Sequence, residues 1–411
     1  MAGLEEKLCP VCFQEAMEHG ECRNCGYHAE ESSAVKDYLA PFTILKEKYL
    51  LGKSLGQGGF GITYLAENMQ SGLRCCIKEY FPSGLLQGRT PDGALILADE
   101  ENRPEYEEGK QQFIEEACAL QELRENISVV DILDFFEENG TAYFAMELIE
   151  GCNLRVFRKN HNPKQTLKMA LQMLFLLGSS LAEVHRFGMI HGDISPENIL
   201  ITQDGEIKLI DFGAARSFRQ GSDNKERKIY LKPNYAPYEQ YTQKPCQGPW
   251  TDIYALAATF YFIVSGRKML DALSRAKGAS YPPLHELCPA VSRQLSDVID
   301  KALAFDYHDR YRRMLDFLDA LEQVVRPEDY DIDLGALMPK SKASKQAEIH
   351  VETSDDSEKM CQVEEQNMPE PKRLAAFFHP KKRRLAYLEL TMRKSGGHIS
   401  RRRWIIDRIA R

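Results

Sequence analysis

No run of about 18 consecutive apolar residues, the length a membrane-crossing helix requires, occurs in this 411-residue chain. Its longest apolar runs, near residues 170–177 and 254–264, read as buried helices. Nor does an apolar leader follow Met1; polar residues and cysteines come instead, so neither a secretory signal nor a transmembrane segment is expected. A dominant charge is lacking too. The 53 Lys and Arg stand against 61 Asp and Glu, a net charge of −8, which leaves no chain-wide basic field for nucleic acid. Eleven cysteines make an odd, mostly scattered set that argues against a disulfide framework, and a reducing, cytoplasmic setting is expected. No internal repeat is present, which excludes a solenoid. What remains is a globular composition, 43% hydrophobic and 28% charged, on a chain long enough for two or three units.

Composition sets the boundaries. Residues 1–30 hold four of the cysteines, 31–48 form a polar linker, and 49–326 alternate strand-like and helix-like patterns with glycine punctuation. From 327 to 371 the chain turns polar and then, beyond Lys345, acidic, with Glu348, Glu352, Asp355, Asp356, Glu358, Glu364, Glu365 and Glu370 against Lys359. Such a segment buries too little apolar surface to offset its ordering entropy, and a disordered linker is expected. Residues 372–411 reverse the sign, with thirteen Lys or Arg against Glu389 and Asp407.

The segment 49–326 carries the chemistry. Gly56, Gly58 and Gly61 form a G-x-G-x-x-G loop between two strand-like runs. Such a loop serves either as a hairpin turn or as a cover that lets backbone approach phosphates. Lys78 ends the apolar run Cys75-Cys76-Ile77, and a lysine on a buried strand needs anions beside it. Glu116 lies on a helical pattern with Phe113, Ala117 and Leu120 facing one way, and is the natural partner; Glu115 reads as its solvent-facing neighbour. Farther on, His191-Gly192-Asp193 precedes Asn198, and Asp211-Phe212-Gly213 closes another apolar strand. Asn198 and Asp211 supply the oxygen ligands that Mg²⁺ prefers alongside substrate phosphates, leaving Asp193 to accept a hydroxyl proton.

These motifs, in this order, resemble the protein kinases of eukaryotic type, in particular their bacterial serine/threonine branch. The resemblance implies an α+β, bilobal fold with a β-rich N-lobe over 49–148 and a helical C-lobe over 149–326. It implies a transferase that moves the γ-phosphoryl group of ATP to serine or threonine of a protein substrate. Gly56, Gly58 and Gly61 would cover the phosphates, Lys78 would hold them and pair with Glu116, Asp193 would be the base, and Asn198 and Asp211 the magnesium ligands. Met146 would be the gatekeeper, Glu147 and Leu148 the hinge, and Cys76 and Thr63 the adenine-side positions. Glu239, in Ala236-Pro237-Tyr238-Glu239, would pair with Arg310, and Asp252 would hold the catalytic loop from below.

The departures are informative. Gly192 replaces an arginine that in the family binds an activation-segment phosphate, so activity independent of phosphorylation at Ser217 or Ser222 is expected. Ser195 stands where the family carries a lysine, and Lys232 where it carries a threonine. The pair reads as an exchange in which Lys232 reaches back to the γ-phosphate, with a solvent-exposed Lys232 that contributes nothing as the plain alternative. Thirty-seven residues separate Lys78 from Glu116, which predicts an insertion around 81–106. The catalytic-loop string also resembles small-molecule phosphotransferases, which lack the Gly-x-Gly-x-Phe-Gly loop and the Ala-Pro-x-Glu element. A nucleotide-binding scaffold without turnover is the third reading.

Outside this region, Cys9, Cys12, Cys22 and Cys25 form C-x₂-C-x₉-C-x₂-C. Two such pairs present four thiolates for a tetrahedral Zn²⁺ in a small ribbon, where the metal supplies the folding energy; iron in the same geometry and a redox-active C-x-x-C are the alternatives. The basic tail joins Lys381-Lys382-Arg383-Arg384 and Arg401-Arg402-Arg403 to apolar residues. It suits an anionic membrane surface, a nucleic acid or the acidic linker, with a solvated, unstructured tail as the plainest alternative.

Overall fold

A computed structural model describes residues 8–29, 37–58, 61–123, 126, 128–212, 216–217, 231–242 and 246–338. The described residues all lie within one compact unit, Met1–Val351. The basic tail and the part of the expected acidic linker beyond Met338 lie outside the described residues.

The four-cysteine module folds around a minimal hairpin of β1 (Met17–Glu18) and β2 (Glu21–Cys22). Its core is Cys9, Cys22 and Tyr27. Past it, period-two patterning builds an antiparallel sheet from β3 (Ile44–Leu45), β4 (Tyr49–Gln57), β5 (Gly61–Asn68) and β6 (Leu73–Tyr80). A further hairpin, β7 (Leu86–Arg89) and β8 (Leu95–Leu97), leads into helix α1 (Arg103–Glu122). Strands β9 (Ile132–Glu138) and β10 (Thr141–Glu147) complete the sheet in the order β3-β4-β5-β6-β10-β9.

Alternation gives this sheet two different faces. On one, Tyr64, Ile77, Tyr143 and Ala145 pack with Leu39, Leu45 and Leu51. On the other, α1 sets Phe113, Ala117 and Leu120 against Tyr80 and Phe144. Gly109 makes that approach close, since a Cβ there would lie 2.0 Å from the Tyr80 hydroxyl.

The insertion expected around 81–106 is the β7–β8 hairpin and the start of α1, and it has a definite task. Arg89 reaches the fully buried Glu79 (2.5 Å to Oε2) and also donates to the Asp37 carbonyl at 2.6 Å and the Gly93 carbonyl at 3.0 Å. Tyr64 and Tyr143 donate to the same carboxylate at 2.9 and 2.8 Å. One guanidinium thus joins the hairpin, the preceding segment and the back of the sheet. Arg89→Met, which leaves a buried carboxylate without its cation, is expected to cost about 3–5 kcal/mol of stability. Adding Glu79→Gln should recover much of that loss, as read by urea unfolding; equal stability of Arg89→Met and the parent would contradict the assignment.

The helical lobe begins after β11 (Gly151–Asn153) with α2 (Leu154–Asn160) and α3 (Pro163–Arg186). Asn162 and Gln165 close a capping box at the start of α3, with Pro163 in the first turn, a combination that satisfies orphan helix donors. By length and composition α3 is the one described helix able to cross a membrane, but 61% of its most apolar window is buried, as in a core helix. Strands β12 (Met189–Ile190), β13 (Ile199–Thr202) and β14 (Ile207–Leu209) carry the loops between the lobes, and β15 (Arg216–Ser217) pairs with β12. Helix α4 (Pro249–Ser265) is buried on nearly every side, the pattern of a central helix.

Two expected boundaries shift. Leu39 and Leu45 are buried and the Leu39 N–H donates to the Tyr64 hydroxyl, so the second half of the predicted linker 31–48 belongs to the N-lobe. Residues 327–338, predicted as the start of the linker, pack on the C-lobe instead. Tyr330 stacks on Phe175 at 4.6 Å, and Leu334 and Met338 are buried against the C-lobe. Those apolar residues, scattered among Asp and Glu, give the segment enough hydrophobic area to stay packed.

Candidate functional site

Register brings the cleft side chains together. Lys78 on β6 lies opposite Thr63 on β5 and Phe144 on β10, while Cys76, two residues back and on the same face, lies opposite Met146. The expected adenine-side and phosphate-side positions therefore share one face of the sheet. The Lys78 ammonium sits 5.5 Å from the centre of the Phe144 ring. Gly56 pairs with Thr63, and the Gly58 N–H closes the loop onto the Gly61 carbonyl at 2.8 Å. Glu147 spends its carboxylate on Lys208 (2.9 Å) and the Asp131 N–H (3.0 Å), so any hinge contact with a base falls to backbone around Glu147 and Leu148.

Lys78 contacts Asp211 at 2.6 Å. Burial alone would lower its pKa, but Asp211 and then Glu116 outweigh that and hold the ammonium above its usual range. The direct Lys78–Glu116 bond expected from the sequence is not formed. Glu116 stands near enough to act through its field, yet its Oε1 is buried without a hydrogen-bond partner. Burial pushes its carboxyl up to about 7, with Lys78 opposing. The lysine has gone to the nearer carboxylate. Lys78 and burial act oppositely on Asp211, and the lysine wins, holding that carboxyl well below the ordinary range. Glu115 is exposed, as expected.

The loop that carries Asp193 hangs from Asp252, which is fully buried. Its carboxylate accepts from the His191 and Gly192 N–H groups at 2.8 and 2.9 Å, and its Oδ2 lies 2.8 Å from His185 Nε2. Gly192 has φ +77°, a conformation glycine adopts without steric cost, and its carbonyl accepts from Gln240 at 2.8 Å. The glycine thus suits the bend of the loop, beyond merely lacking a guanidinium. His191 Nδ1 accepts the Asp193 N–H at 3.1 Å, which leaves Nε2–H to face the Ile210 carbonyl at 3.2 Å. Neither His185 nor Gln240 was picked out by motif reading, because their roles come from tertiary contacts alone.

At the centre lies Asp193. Its Oδ2 accepts from Asn198 Nδ2 at 2.8 Å and lies 2.9 Å from the Lys232 ammonium. Lys232 also donates to the buried Ser195 hydroxyl at 2.9 Å. The two exchanged positions are in direct contact. Burial raises the Asp193 pKa while Lys232 draws it back. Asn198 commits its amide nitrogen to Asp193, and its amide oxygen is left as a donor for a cation. Below the loop, Glu239 takes Arg310 at 2.7 and 3.1 Å in a buried pair. Ser222 lies outside the described residues, and Ser217 is described only by its pairing with Met189.

In the N-terminal module all four cysteines are free thiols with sulfurs within 4.8 Å of one another. Cys9 and Cys25 are 3.6 Å apart, as are Cys12 and Cys22. Sulfurs held at about 2.3 Å around one tetrahedral ion lie about 3.8 Å apart, so the set fits such an ion. Burial would raise the Cys22 thiol, but the Cys25 and Asn24 N–H groups outweigh it and bring it down to about 7.

Comparison with known proteins agrees with this geometry. Residues 49–319 match the protein kinase domain. Serine/threonine-protein kinase F of Synechocystis sp. is 31% identical over 286 residues, covering 65% of this chain and 53% of that protein. Serine/threonine-protein kinase PknA of Nostoc sp. is 29% identical, covering 68% and 48%, and serine/threonine-protein kinase PrkC of Bacillus subtilis is 28% identical, covering 64% and 38%. The chain spans about half, or less, of the length of these relatives. Among solved structures, the PpkA-294 apo form is 34% identical with a TM-score of 0.59, covering 70% of this chain and all of that one. The sheet, the hanging loop and the match over more than half of the length lead to one conclusion: the chain belongs to the protein kinase family.

Proposed function

We propose that this protein transfers the γ-phosphoryl group of ATP to serine or threonine hydroxyls of protein substrates. The observation that carries the reading is the grip on Asp193. Asn198 and Lys232 both bind its Oδ2, which leaves Oδ1 to receive the proton of an incoming hydroxyl as the new phosphorus–oxygen bond forms. Lys78, with Glu116 behind it, would hold the non-transferred phosphates. Gly56, Gly58 and Gly61 would cover them with backbone. Lys232 would meet the negative charge that gathers on the transferring group. Asp211 and the amide oxygen of Asn198 would hold Mg²⁺, which supplies charge neutralisation to the phosphates when bound. Cys9, Cys12, Cys22 and Cys25 would hold a structural Zn²⁺. Ten described cysteines are free, which supports a reducing, cytoplasmic working place for the catalytic unit.

The test is transfer of label from γ-labelled Mg-ATP to the chain itself and to generic basic protein substrates, followed by acid hydrolysis. Phosphoserine or phosphothreonine is expected. Label found only on small metabolites, or on nothing while nucleotide still binds, would sink the assignment.

A further inference from the structure

We propose that metal occupancy of the four-cysteine module sets the nucleotide affinity of the kinase lobe, through a contact between its first knuckle and the strand leading into the glycine-rich loop. That strand is β4. Its ladder with β5 is regular up to Leu51 and resumes, shifted, at Ser54. In the gap, the Lys53 N–H donates to the Pro10 carbonyl at 2.9 Å. Gly52 makes the contact close, since a Cβ there would lie 2.2 Å from the Pro10 oxygen and 2.8 Å from the Phe13 ring. The Lys53 ammonium lies 5.9 Å from the centre of the Tyr27 ring. Gly52, Pro10 and Phe13 are all buried.

The groups that touch the strand are neighbours of the sulfurs in the chain. Pro10 sits between Cys9 and Cys12, and Phe13 follows Cys12 with φ +57°, a conformation that non-glycine residues hold only when their surroundings impose it. The module has two-residue strands and a core of three side chains, too little to keep this shape without a common centre for its thiolates. On the other side of the contact, Lys53 lies three residues before Gly56. A loaded module therefore fixes β4, and a loop on a fixed strand loses less entropy on closing over phosphates. A stripped module releases both.

The inference rests on nucleotide binding at the glycine-rich loop, and the test separates the two. The full chain is loaded with zinc or stripped by chelator under reducing conditions, and Mg-ADP affinity is measured by equilibrium titration. Stripping is expected to weaken binding about tenfold, within the usual range of site-to-site coupling. By linkage, saturating Mg-ADP must tighten zinc by the same factor, read with a chromophoric chelator. Gly52→Val should keep its zinc, by metal analysis, yet bind Mg-ADP equally well loaded and stripped. Should that variant fail to fold, amide exchange of the parent protein decides instead: Lys53 N–H protection must fall on stripping. An Mg-ADP affinity indifferent to zinc, or a Lys53 amide equally protected in both forms, would overturn the coupling alone. No nucleotide binding by the loaded chain would overturn the kinase reading and the coupling together.

Discussion

Asparagine in place of Asp193 is expected to lower single-turnover phosphoryl transfer by roughly 10³-fold, the span that a positioned general base contributes, with the affinity for Mg-ATP unchanged. The substitution is conservative where it should be. An amide oxygen can still accept from Asn198 and Lys232, which now reach the carboxylate at 2.8 and 2.9 Å, so the loop keeps its shape. The Asp193 N–H bond to His191 and the suspension from Asp252 involve backbone, and they are untouched. What disappears is an oxygen basic enough to take the hydroxyl proton. Rapid-quench transfer to a serine peptide, beside equilibrium nucleotide binding, reads both quantities. Turnover within tenfold of the parent would remove Asp193 from the chemistry.

The second large effect concerns Lys232. Lys232→Met should cut turnover on the order of 10²-fold, as loss of a preorganised charge at the transferring group does, while nucleotide affinity stays near that of the parent. The lysine is about one-third exposed and bridges Asp193 and Ser195, so a purely structural role would show in unfolding rather than in turnover. The sharper test moves the charge. Combining Lys232→Thr with Ser195→Lys puts the cation back on the catalytic loop, where the resemblance to the family places it, and most of the turnover should return. Unchanged turnover in Lys232→Met, or a double variant no better than Lys232→Thr, would make the contact incidental.

Much of the cleft was legible because its chemistry is tied to short spacings. A glycine triplet, a lysine closing an apolar strand and an aspartate five residues before an asparagine each declare themselves within a few positions. The exchange of Ser195 and Lys232 could be suspected at 37 residues' separation only because the resemblance supplied a register. Its geometry needed the fold. The Lys78–Glu116 pair shows the opposite limit: sequence supplied a plausible carboxylate, and the structure supplied a nearer one in Asp211. Burial networks left no trace in the string. Glu79 follows Lys78 on its strand and carries no motif of its own. Only the β7–β8 hairpin, folded behind the sheet, turns it into the anchor for Arg89. The segment 327–338 looked polar because Asp and Glu separate its apolar residues, whereas packing depends on which few of them meet Phe175 and the lobe. Gly52 belongs to no motif, and its role at the contact between the two modules is visible only in the fold.

The exchanged lysine also bears on how enzymes of this kind are sorted. A survey that scores catalytic competence by the cation two places after the aspartate finds Ser195 here and files the chain among the dead kinases. The ammonium is present all the same, 2.9 Å from the carboxylate, contributed by a segment that such a survey reads for something else. Charge at a point in space is what selection can act on, and the position that carries it is free to wander. An inventory of inactive kinases built on that single column therefore passes over a cation that reaches the same carboxylate from another segment.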